Sequence, residues 1–341
     1  MHAVVLSRIG GPEELEYREV PDPELATGDV LVRVKAEGVC GRDLIDRRGG
    51  FRGLKMPVIL GHEFAGEVVR VSPMVEGLSP GDRVANLLRL GCGECRACRR
   101  GETPICERGW QSFGQTRNGG YAELVAAPAA TLVKIPAQVS DVEAASVACT
   151  FGVALRALRT VGRVTLGDEV LITGASGGVG MAAIQVAKAL GARVLAATGS
   201  PAKHEALAEA GADEVIVHRD EALHDKVRAL APGGVDVVLE LTGSPTFTSS
   251  LRSLRNGGRL VLVGNILADA IKVNPGAVIL FGYQILGSAG CTRADLDDAF
   301  ALVAQKKLAV VIHRVLSLKD AAEAHRILAD RGAIGRVILT P

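Results

Sequence analysis

The sequence predicts an α/β fold made of a mainly β region and a doubly wound parallel sheet. In the first 145 residues, short runs of alternating polar and apolar residues are separated by glycine and proline, which is typical of short strands joined by loops. From Asp168 onward, nearly continuous apolar strands alternate with helices, as in a parallel sheet that is covered on both faces. A third observation, four cysteines between Gly91 and Cys106, predicts a small separate lobe inside the first region.

Composition limits the class of protein. The chain has 341 residues, of which 48% are hydrophobic and 23% are charged, enough for two domains with separate cores. The 39 basic and 38 acidic residues nearly cancel and aromatic residues make up only 3%, so we expect neither nucleic acid nor membrane as a partner. The N-terminus lacks the features of a signal peptide, and no apolar run approaches the length of a transmembrane helix. Seven cysteines, mostly at metal-like spacing, suit a reducing compartment, so we expect a cytoplasmic protein.

The clearest strand pattern of the first region begins at Val30. Apolar residues at Val30, Val32, Val34 and Ala36 alternate with a second face formed by Leu31, Arg33, Lys35 and Glu37. Alternation with a period of two predicts a half-buried strand. Residues 66–71 and 82–88 have similar patterns, and around residues 142–161 the pattern becomes helical.

The lobe contains Cys92, Cys95, Cys98 and Cys106 in a charged segment with no hydrophobic periodicity. Four thiolates so close in sequence can converge on one tetrahedral Zn²⁺, and such closed sites are structural. The alternative for these residues is a pair of disulfides or chance clustering. The spacing favours the zinc lobe.

The second region reads as a regular alternation of strands and helices. The predicted elements are residues 169–173, 178–190, 192–198, 201–210, 214–217, 221–230, 235–241, 245–254 and 259–263. Ser200 suits the N-cap of the helix that begins at Pro201. The tail reads as two helices, residues 295–304 and 318–329, and a strand over residues 335–340.

A glycine-rich turn joins the first of these strands to its helix. The candidate residues of the turn are Gly174, Ser176, Gly177, Gly178, Val179 and Gly180. Such a turn lets the backbone approach a pyrophosphate, and the helix N-terminus supplies amide donors and a favourable dipole. A tight turn without a ligand is the alternative, but a strand before the motif and a helix after it are the context that a dinucleotide site requires.

The end of the next strand predicts which dinucleotide is bound. NAD sites usually place an acidic residue there, whereas this strand ends in Thr198, Gly199 and Ser200, with Lys203 following. Ser200 can donate a hydrogen bond to a 2′-phosphate and Lys203 can supply a charge, which favours NADP(H), although Lys203 could equally be an exposed helix residue. Thr242 and Gly264 complete the candidate cofactor-binding residues.

Three further residues are candidates for a second metal. Cys40 follows an apolar strand, His62 lies in a glycine-flanked segment beside Glu63, and Cys149 lies in an apolar helix. Two cysteines and one histidine leave a fourth position open, as a catalytic zinc requires. Spacing alone does not assemble these residues, and Cys149 by itself could be a core residue.

Taken together, these motifs resemble the zinc-containing medium-chain dehydrogenases/reductases, the alcohol dehydrogenase superfamily, over essentially the whole chain. The resemblance implies a GroES-like substrate domain at residues 1–145 and 290–341, with a structural zinc lobe at 91–106, and an inserted Rossmann cofactor domain at 146–289. It implies two Zn²⁺ per chain, one structural and one catalytic. Cys40, His62 and Cys149 would hold the catalytic zinc, and the four cysteines of the lobe would hold the structural one.

The resemblance also implies roles around the catalytic metal. Glu63 would be an exchangeable ligand or would pair with Arg336, and Asp43 would orient His62. Cys291 matches no ligand position. Members of the family commonly pair their cofactor sheets edge to edge near the segment Gln284–Ala289, which implies a homodimer or a homotetramer.

The sequence departs from the family at the proton relay. Alcohol dehydrogenases of this family typically carry Ser or Thr, and often His, where this chain has Arg42 and Ile45. Arginine is effectively always protonated and cannot relay a proton, which counts against ordinary alcohol oxidation. The Cys-x-Arg-Asp arrangement resembles a subgroup similar to archaeal acryloyl-CoA reductases, which use NADPH. Arg42 would pair with an acidic group of substrate or cofactor, or structurally with a carboxylate such as Asp43 or Glu63.

Three functional hypotheses follow. The leading one is a zinc-dependent oxidoreductase that transfers hydride between NADP(H) and a zinc-polarised carbonyl compound and reduces an activated double bond, such as that of an enoyl-CoA. The alternative is a zinc-dependent alcohol dehydrogenase that interconverts alcohols with aldehydes or ketones. The third is a non-catalytic NADPH-binding regulator, against which the retained catalytic ligands argue, because a pure binder needs no open metal site.

Overall fold

The computed structural model describes residues 1–51, 53–109, 111–218, 222–267 and 269–341, which divide into two compact units. The first unit comprises Met1–Gly152 and Gly290–Pro341, and the second comprises Val153–Ala289. The segment 146–152, which the sequence analysis places with the cofactor domain, therefore lies in the first unit, and Cys149 with it.

The N-terminal part of the first unit is mainly β. Its elements are β1 (His2–Leu6), β2 (Leu15–Glu19), β3 (Asp29–Val39), α1 (Gly41–Arg47), β4 (Val58–Ile59), β5 (Phe64–Val71), β6 (Arg83–Asn86), β7 (Arg89–Leu90), α2 (Arg96–Arg99), β8 (Gln111–Ser112), β9 (Leu124–Pro128), β10 (Leu132–Lys134) and α3 (Asp141–Val147). A π-helical segment, Ala148–Gly152, continues α3.

The second unit holds the alternating elements. They are α4 (Val153–Leu155), β11 (Glu169–Ile172), α5 (Gly178–Ala189), β12 (Arg193–Thr198), α6 (His204–Glu209), β13 (Glu214–Val217), α7 (Leu223–Leu230), β14 (Val235–Glu240), α8 (Phe247–Ser253), β15 (Leu254–Leu262), α9 (Pro275–Phe281) and β16 (Gln284–Gly287). The six strands form one parallel sheet in the order β13-β12-β11-β14-β15-β16. This order is that of a doubly wound dinucleotide-binding fold, so the predicted fold class is confirmed.

The C-terminal tail returns to the first unit as α10 (Arg293–Ala304), β17 (Ile312–Ser317), α11 (Ala321–Ala329) and β18 (Arg336–Thr340). The main sheet of this unit has the order β10-β6-β5-β3-β18-β17, and β9 also pairs with β3. Strand β18 is antiparallel to β3, with Val337 opposite Val39. The tail thus brings Arg336 beside the end of β3, where the predicted metal ligand Cys40 begins.

Strand β3 is more deeply buried than its alternation predicts. Arg33 and Lys35 are exposed as expected, but Leu31 and Glu37, on the same predicted face, are buried. Glu37 is buried because its Oε1 accepts the amide N–H of Glu63 at 2.8 Å, and the loop before Tyr121 covers it. The half-buried prediction is therefore wrong at both ends of the strand, where neighbouring segments close over the second face.

Other differences concern element ends. Strand β15 begins at Leu254, where the sequence predicts the end of a helix, and α9 and β17 were not predicted. Helix α7 begins at Leu223, and Glu221, its predicted start, lies outside the described residues. Ser200 occupies the predicted N-cap position before Pro201, but its side chain makes no capping hydrogen bond among the described residues.

One helical stretch, residues 141–161, is long and apolar enough to meet a length-and-composition test for a membrane span. Charged residues, among them Asp141 and Arg156, interrupt the stretch, so the sequence shows no continuous apolar run there. In its most apolar window, 83% is buried within the protein, and a buried core helix meets the same test. The stretch is therefore weak support for a membrane span.

Candidate active site

The first part of the site is built where β3 passes into α1. Cys40 is the N-cap of α1, and its backbone N–H donates to Asp43 Oδ2 at 2.9 Å, which fixes the carboxylate in the first turn. The second oxygen of Asp43 lies 2.9 Å from His62 Nδ1. Because Asp43 binds this nitrogen, the Nε2 atom of His62 is left to face a metal.

The segment Gly61–Phe64 presents His62 and Glu63, and backbone contacts on both sides hold it. Asn86 donates from Nδ2 to the carbonyl of His62 at 2.9 Å and accepts from the amide of Phe64 at 2.8 Å. Glu37 accepts the amide of Glu63. Gly61 has φ of +94°, and a Cβ there would lie 2.5 Å from the Tyr121 ring, so only glycine fits the turn. The sequence analysis did not identify Asn86 or Glu37, because their roles depend on contacts across strands.

The structure brings the predicted catalytic donors together. One ligand atom from each of Cys40, His62, Glu63 and Cys149 lies within 4.8 Å of all the others. The two sulfurs are 4.0 Å apart, and Cys149 Sγ is 3.9 Å from His62 Nε2. Zn–S bonds of about 2.3 Å in a tetrahedron place two sulfurs about 3.8 Å apart, so this spacing fits one bound zinc ion.

Cys149 reaches this centre from an irregular part of its helix. It lies in the π-helical segment 148–152, and a π-segment rotates the side chains that follow relative to a regular helix. Cys291, left unassigned by the sequence, is buried nearby, and its Sγ donates to the carbonyl of Ala148 at 3.3 Å. Cys291 therefore contacts the Cys149 segment without joining the donor cluster.

The donor cluster is strongly charged for a buried site. Burial and Arg42 oppose a charge on His62, but the Asp43 carboxylate outweighs them and raises the pKa of His62 to about 10. The hydrogen bond between the thiols, together with the charge of Arg336, holds the pKa of Cys40 well below its usual range. Burial raises the pKa of Glu63 to about 7, against the opposing charge of Arg336. Such perturbed groups, gathered around one point, are typical of a functional site.

Glu63 pairs with Arg336, as the resemblance implied. Its Oε1 lies 2.5 Å from Arg336 Nη2 and 3.5 Å from His62 Nε2. Its Oε2 is buried and has no hydrogen-bond partner among the described residues. A buried carboxylate oxygen without a donor is costly, and a cation at the centre of the cluster would satisfy it.

Arg42 is held by the segment 112–113 and by Asp46. It donates from Nη2 to the carbonyl of Phe113 at 2.8 Å and from Nη1 to Ser112 Oγ at 3.3 Å, and its Nε lies 3.5 Å from Asp46 Oδ2. The structural pair predicted for Arg42 is thus formed with a different carboxylate, one turn further along α1. Sequence spacing could not select Asp46, because the choice depends on where the segment 112–113 lies.

The four cysteines of the predicted lobe form the second donor cluster. Their sulfurs all lie within 4.8 Å of one another, and two of the pairs, Cys92–Cys98 and Cys95–Cys106, are separated by 4.0 and 3.9 Å. Backbone amides donate to the sulfurs, which suits thiolates, and the amides of Cys98 and Glu107 lower the pKa of Cys95 to about 6. All four thiols are free, so the arrangement fits a closed metal site and not a pair of disulfides.

The candidate dinucleotide residues gather at the carboxyl ends of β11, β12 and β14. Gly174 has φ of +57°, and a Cβ there would lie 2.9 Å from Thr242 Cγ2, so the glycine turn and the Thr242 loop touch. Gly177 is the N-cap of α5, and a Cβ on Gly180 would lie 2.3 Å from the carbonyl of Ala175. The turn is as close-packed as a dinucleotide motif requires, and its free amides point from the start of a helix of 12 residues. Ser176, Gly178 and Val179 complete this segment.

A buried carboxylate that the sequence did not reveal supports this region. Glu240, the last residue of β14, accepts from the hydroxyls of Thr173, Thr242 and Thr246 at 2.8–2.9 Å and from the amides of Thr242 and Gly243. Thr173 precedes the glycine turn, so one side chain fixes both loops. Gly264 lies against the same loop, since a Cβ there would be 2.1 Å from the carbonyl of Leu241.

The residues predicted to select the cofactor lie at the end of β12. Ser200 is the N-cap of the short 3-10 turn Pro201–Lys203, Lys203 is its last residue, and partial burial lowers the pKa of Lys203. The backbone of the neighbouring strand is close, because the amide of His218 donates to the carbonyl of Thr198 at 3.0 Å. Strand β12 ends at Thr198 and is followed by Gly199 and Ser200, so none of these three residues has a carboxylate.

This combination of a doubly wound sheet, a glycine turn and two metal-donor clusters defines a metal-binding, dinucleotide-dependent oxidoreductase. Two family models match the chain, the alcohol dehydrogenase GroES-like domain over residues 26–137 and the zinc-binding dehydrogenase over residues 178–305. The chain belongs to the zinc-containing medium-chain dehydrogenase/reductase family, the alcohol dehydrogenase superfamily, and it is an oxidoreductase.

Individual relatives span the whole chain. An acryloyl-coenzyme A reductase of Metallosphaera sedula is 38% identical over 341 residues, which is 100% of both chains. The crystal structure of AibC is 45% identical, with a TM-score of 0.93, covering 100% of this chain and 96% of that one. A crystal structure of an NAD-dependent alcohol dehydrogenase is 37% identical, with a TM-score of 0.93 and full coverage of both chains. The relatives thus include both a reductase and a dehydrogenase.

Proposed function

We propose that this chain is a zinc-dependent, NADP(H)-linked reductase that acts on an activated double bond, such as that of an enoyl-CoA. The observation that carries the proposal is the absence of a proton relay beside an open donor set. Cys40, His62 and Cys149 would form that set, since Glu63 of the same cluster pairs with Arg336. Arg42 and Ile45 occupy the positions at which the resemblance implies a proton relay. The similarity to an acryloyl-coenzyme A reductase supports the same substrate class.

The protein's own residues would prepare the substrate in this proposal. Cys40, His62 and Cys149 would hold a zinc ion, which would supply a Lewis acid for the carbonyl group conjugated with the double bond. Asp43 holds His62 in the tautomer that leaves Nε2 for the metal, and Arg336 neutralises Glu63. NADPH held at the glycine turn would supply the hydride for the β-carbon. Water would supply the proton for the α-carbon, because Arg42 keeps its proton and Ile45 has none to give.

Cofactor choice rests on the end of β12. Ser200 and Lys203 stand where NAD enzymes usually place an acidic residue, and Thr198, Gly199 and Ser200 carry no carboxylate that would repel a 2′-phosphate. One relative of similar identity is described as NAD-dependent, so the preference needs a direct measurement.

Replacing Lys203 tests the cofactor preference. Lys203→Ala is expected to weaken NADPH about tenfold and NADH hardly at all, because only NADPH carries the phosphate that the ammonium would contact. Lys188→Ala is the matched control, since Lys188 lies on α5 and pairs with Asp213. Dissociation constants from nicotinamide fluorescence titration provide the measurement. Equal weakening of both cofactors would remove Lys203 from the 2′-phosphate site.

A zinc-dependent alcohol dehydrogenase is the second candidate. It is favoured by the similarity to the NAD-dependent alcohol dehydrogenase, in which case water replaces the missing relay. The two candidates differ in the bond that is reduced, so substrate specificity separates them.

The deciding experiment measures NADPH consumption by the zinc-loaded protein. Acryloyl-CoA and crotonyl-CoA are compared with a panel of simple aldehydes and ketones at equal concentration. Turnover of the enoyl thioesters with little turnover of the carbonyls is the expected result. The reverse pattern would assign the chain to the alcohol dehydrogenases proper.

We also propose that the chain forms a homodimer or homotetramer in the cytoplasm. Strand β16 is the edge of its sheet, paired with β15 on one side only. Helix α9, just before it, exposes Ile279 and Leu280, with 80% and 76% of their surfaces accessible. An apolar edge of this kind is a liability in a free chain and suits contact with a second copy.

A further inference from the structure

A hydrogen-bonded network of buried polar side chains leads away from Asp43 on the side opposite His62. The Tyr121 hydroxyl lies 3.4 Å from Asp43 Oδ2 and 3.1 Å from His325 Nε2. The Nε of Arg47 lies 3.2 Å from His325 Nδ1, and its Nη1 donates to the carbonyl of Gly10 at 2.9 Å. Asp43, Tyr121, His325 and Arg47 are each at most 1% exposed, so this network has no contact with bulk water.

The atoms that can donate or accept in each side chain fix the direction of every hydrogen bond in this network. Arginine can only donate, so His325 Nδ1 must accept, and a neutral His325 then carries its proton on Nε2. That N–H donates to the Tyr121 oxygen, whose own hydrogen is left to donate to Asp43. A protonated His325 would oppose its Nδ1–H to the Arg47 donor, which the 3.2 Å contact rules out. Burial supports the same assignment, because it lowers the pKa of His325 to about 4.

We propose that Tyr121 and His325 are positioning residues for the metal centre, which hold Asp43 so that His62 offers Nε2 to the metal. The network begins at a buried cation, Arg47, and ends at a buried anion, Asp43. Each hydrogen bond in it is donated in the direction from Arg47 to Asp43. Aligned hydrogen bonds in a medium of low dielectric polarise one another, so Tyr121 is a stronger donor to Asp43 than an isolated phenol.

The three segments that carry these four residues come from distant parts of the first unit. Arg47 and Asp43 share α1, Tyr121 follows the turn at Gly120, and His325 lies on α11 of the tail. The Tyr121 ring also lies under Gly61, next to His62, and packs edge to face with the His325 ring at 5.9 Å. Tyr121 thus touches both the carboxylate that orients His62 and the turn that carries it.

The inference rests on the proposed metal centre, so the test measures metal affinity directly. Zinc retained by the protein is followed as a chelator is raised, for the wild type and for the Tyr121→Phe and His325→Leu variants. A Cys40→Ser chain reports the zinc held by the four-cysteine lobe alone. Both positioning variants are expected to lose the second zinc at about tenfold lower chelator, because loss of outer-shell partners weakens metal binding about 10–100-fold.

Two variants separate positioning from general loss of stability. Thr131→Val removes another buried hydroxyl of the same unit, one that donates to the carbonyl of Pro128, and is expected to keep both zinc ions. His325→Gln can accept from Arg47 and donate to Tyr121, and is expected to restore most of the affinity that His325→Leu loses. Cobalt(II) substituted at the second site gives a d–d spectrum that should shift in Tyr121→Phe and in His325→Leu and should stay close to that of the wild type in His325→Gln.

The outcomes are distinct. A wild type that binds only the zinc of the lobe would overturn the proposed metal centre itself. A wild type with two zinc ions and unchanged affinity and cobalt spectra in both variants would overturn the positioning role alone. Equal loss of zinc from both sites in Tyr121→Phe would also overturn it, because that pattern reports a weakened fold.

Discussion

At the scale of the residue, the lack of a side chain at Gly120 allows close packing beside the metal-binding segment. A Cβ on Gly120 would lie 1.8 Å from Glu37 Oε2 and 2.8 Å from Phe64 Cβ. Glu37 in turn accepts a hydrogen bond from the amide of Glu63, in the metal-binding segment. Because Gly120 has no side chain, the Glu37 carboxylate has room to make this contact. The sequence shows the glycine but not this contact, which joins three separate segments.

Gly120→Ala is expected to lower the free energy of unfolding by about 1–3 kcal/mol, because overpacking a buried site forces its neighbours to move. Gly233→Ala is the matched control, since no heavy atom lies within 4 Å of the added Cβ, and its effect should stay within about 0.5 kcal/mol. Chemical denaturation measures both. Equal effects would contradict the close approach of Gly120 to Glu37.

His325 makes a pH-dependent contribution to stability. Burial lowers its pKa from 6.5 to about 4, so between these values the unfolded chain binds a proton that the folded chain does not. The contribution is present above pH 6.5 and is lost as the pH falls towards 4. It amounts to at most about 3 kcal/mol. His325→Gln should flatten the decline of stability between pH 6.5 and 4 in urea titrations, and an unchanged decline would contradict a buried neutral imidazole.

The residues of the candidate site were predictable to different depths. Cys40, His62, Glu63 and Cys149 were found through the resemblance, because cysteine and histidine are rare enough to stand out. Their supporting partners are common residues whose roles depend on contacts between distant segments. Tyr121, His325, Asn86 and Glu240 therefore became visible only in the structure, as did Asp46, the carboxylate that pairs with Arg42.

At the scale of the element, the four-cysteine lobe shows how a segment can fold without a core. Its buried apolar cluster consists of Cys95, Ala97, Cys98 and Cys106, of which three are proposed metal ligands. Such a segment buries too little apolar surface to fold alone, so a bound metal would supply most of its folding free energy.

Cys95→Ser and Cys40→Ser should therefore differ in kind. Cys95→Ser is expected to lower the melting temperature by several degrees, because the lobe loses its metal. Cys40→Ser is expected to abolish turnover with dinucleotide binding near normal, since the candidate dinucleotide residues lie in the other unit. Zinc content, melting temperature and NADPH affinity are measured for both. Full activity of Cys40→Ser, or unchanged stability of Cys95→Ser, would contradict the assigned roles.

Elements were predictable where local pattern decides. Strands β11–β14 and helix α5 match their predicted ranges to within about a residue, because buried parallel strands are continuously apolar and the glycine turn fixes the helix start. The pattern failed in β3, where Leu31 and Glu37 are covered by other segments, and at α9, whose exposed apolar residues resemble no amphipathic helix. In both cases the environment is set by parts of the molecule that lie far away in sequence.

At the scale of the whole molecule, the exposed apolar residues beside β16 bear on assembly. Leu280→Asp is expected to reduce the assembly to a single chain, because a charge at the centre of an apolar contact is not paired. Leu166→Asp is the control, since Leu166 is exposed to 86% and lies against Gly191, just before the inner strand β12. Light scattering after gel filtration gives the mass. A wild type that is already a single chain, or an unchanged mass for Leu280→Asp, would contradict the proposed interface.

The order in which the ribosome releases the chain has a consequence for the metal centre. Arg336, which pairs with Glu63, is made 296 residues after Cys40, and β18 must pair with β3 to bring it there. At about 5–20 residues per second, roughly 15–60 s separate the two residues in synthesis. The second unit is contiguous and can fold during that interval. The proposed ligands Cys40, His62 and Cys149 are all made well before Arg336. Glu63 is therefore expected to gain its partner Arg336 only after the last strand has left the ribosome.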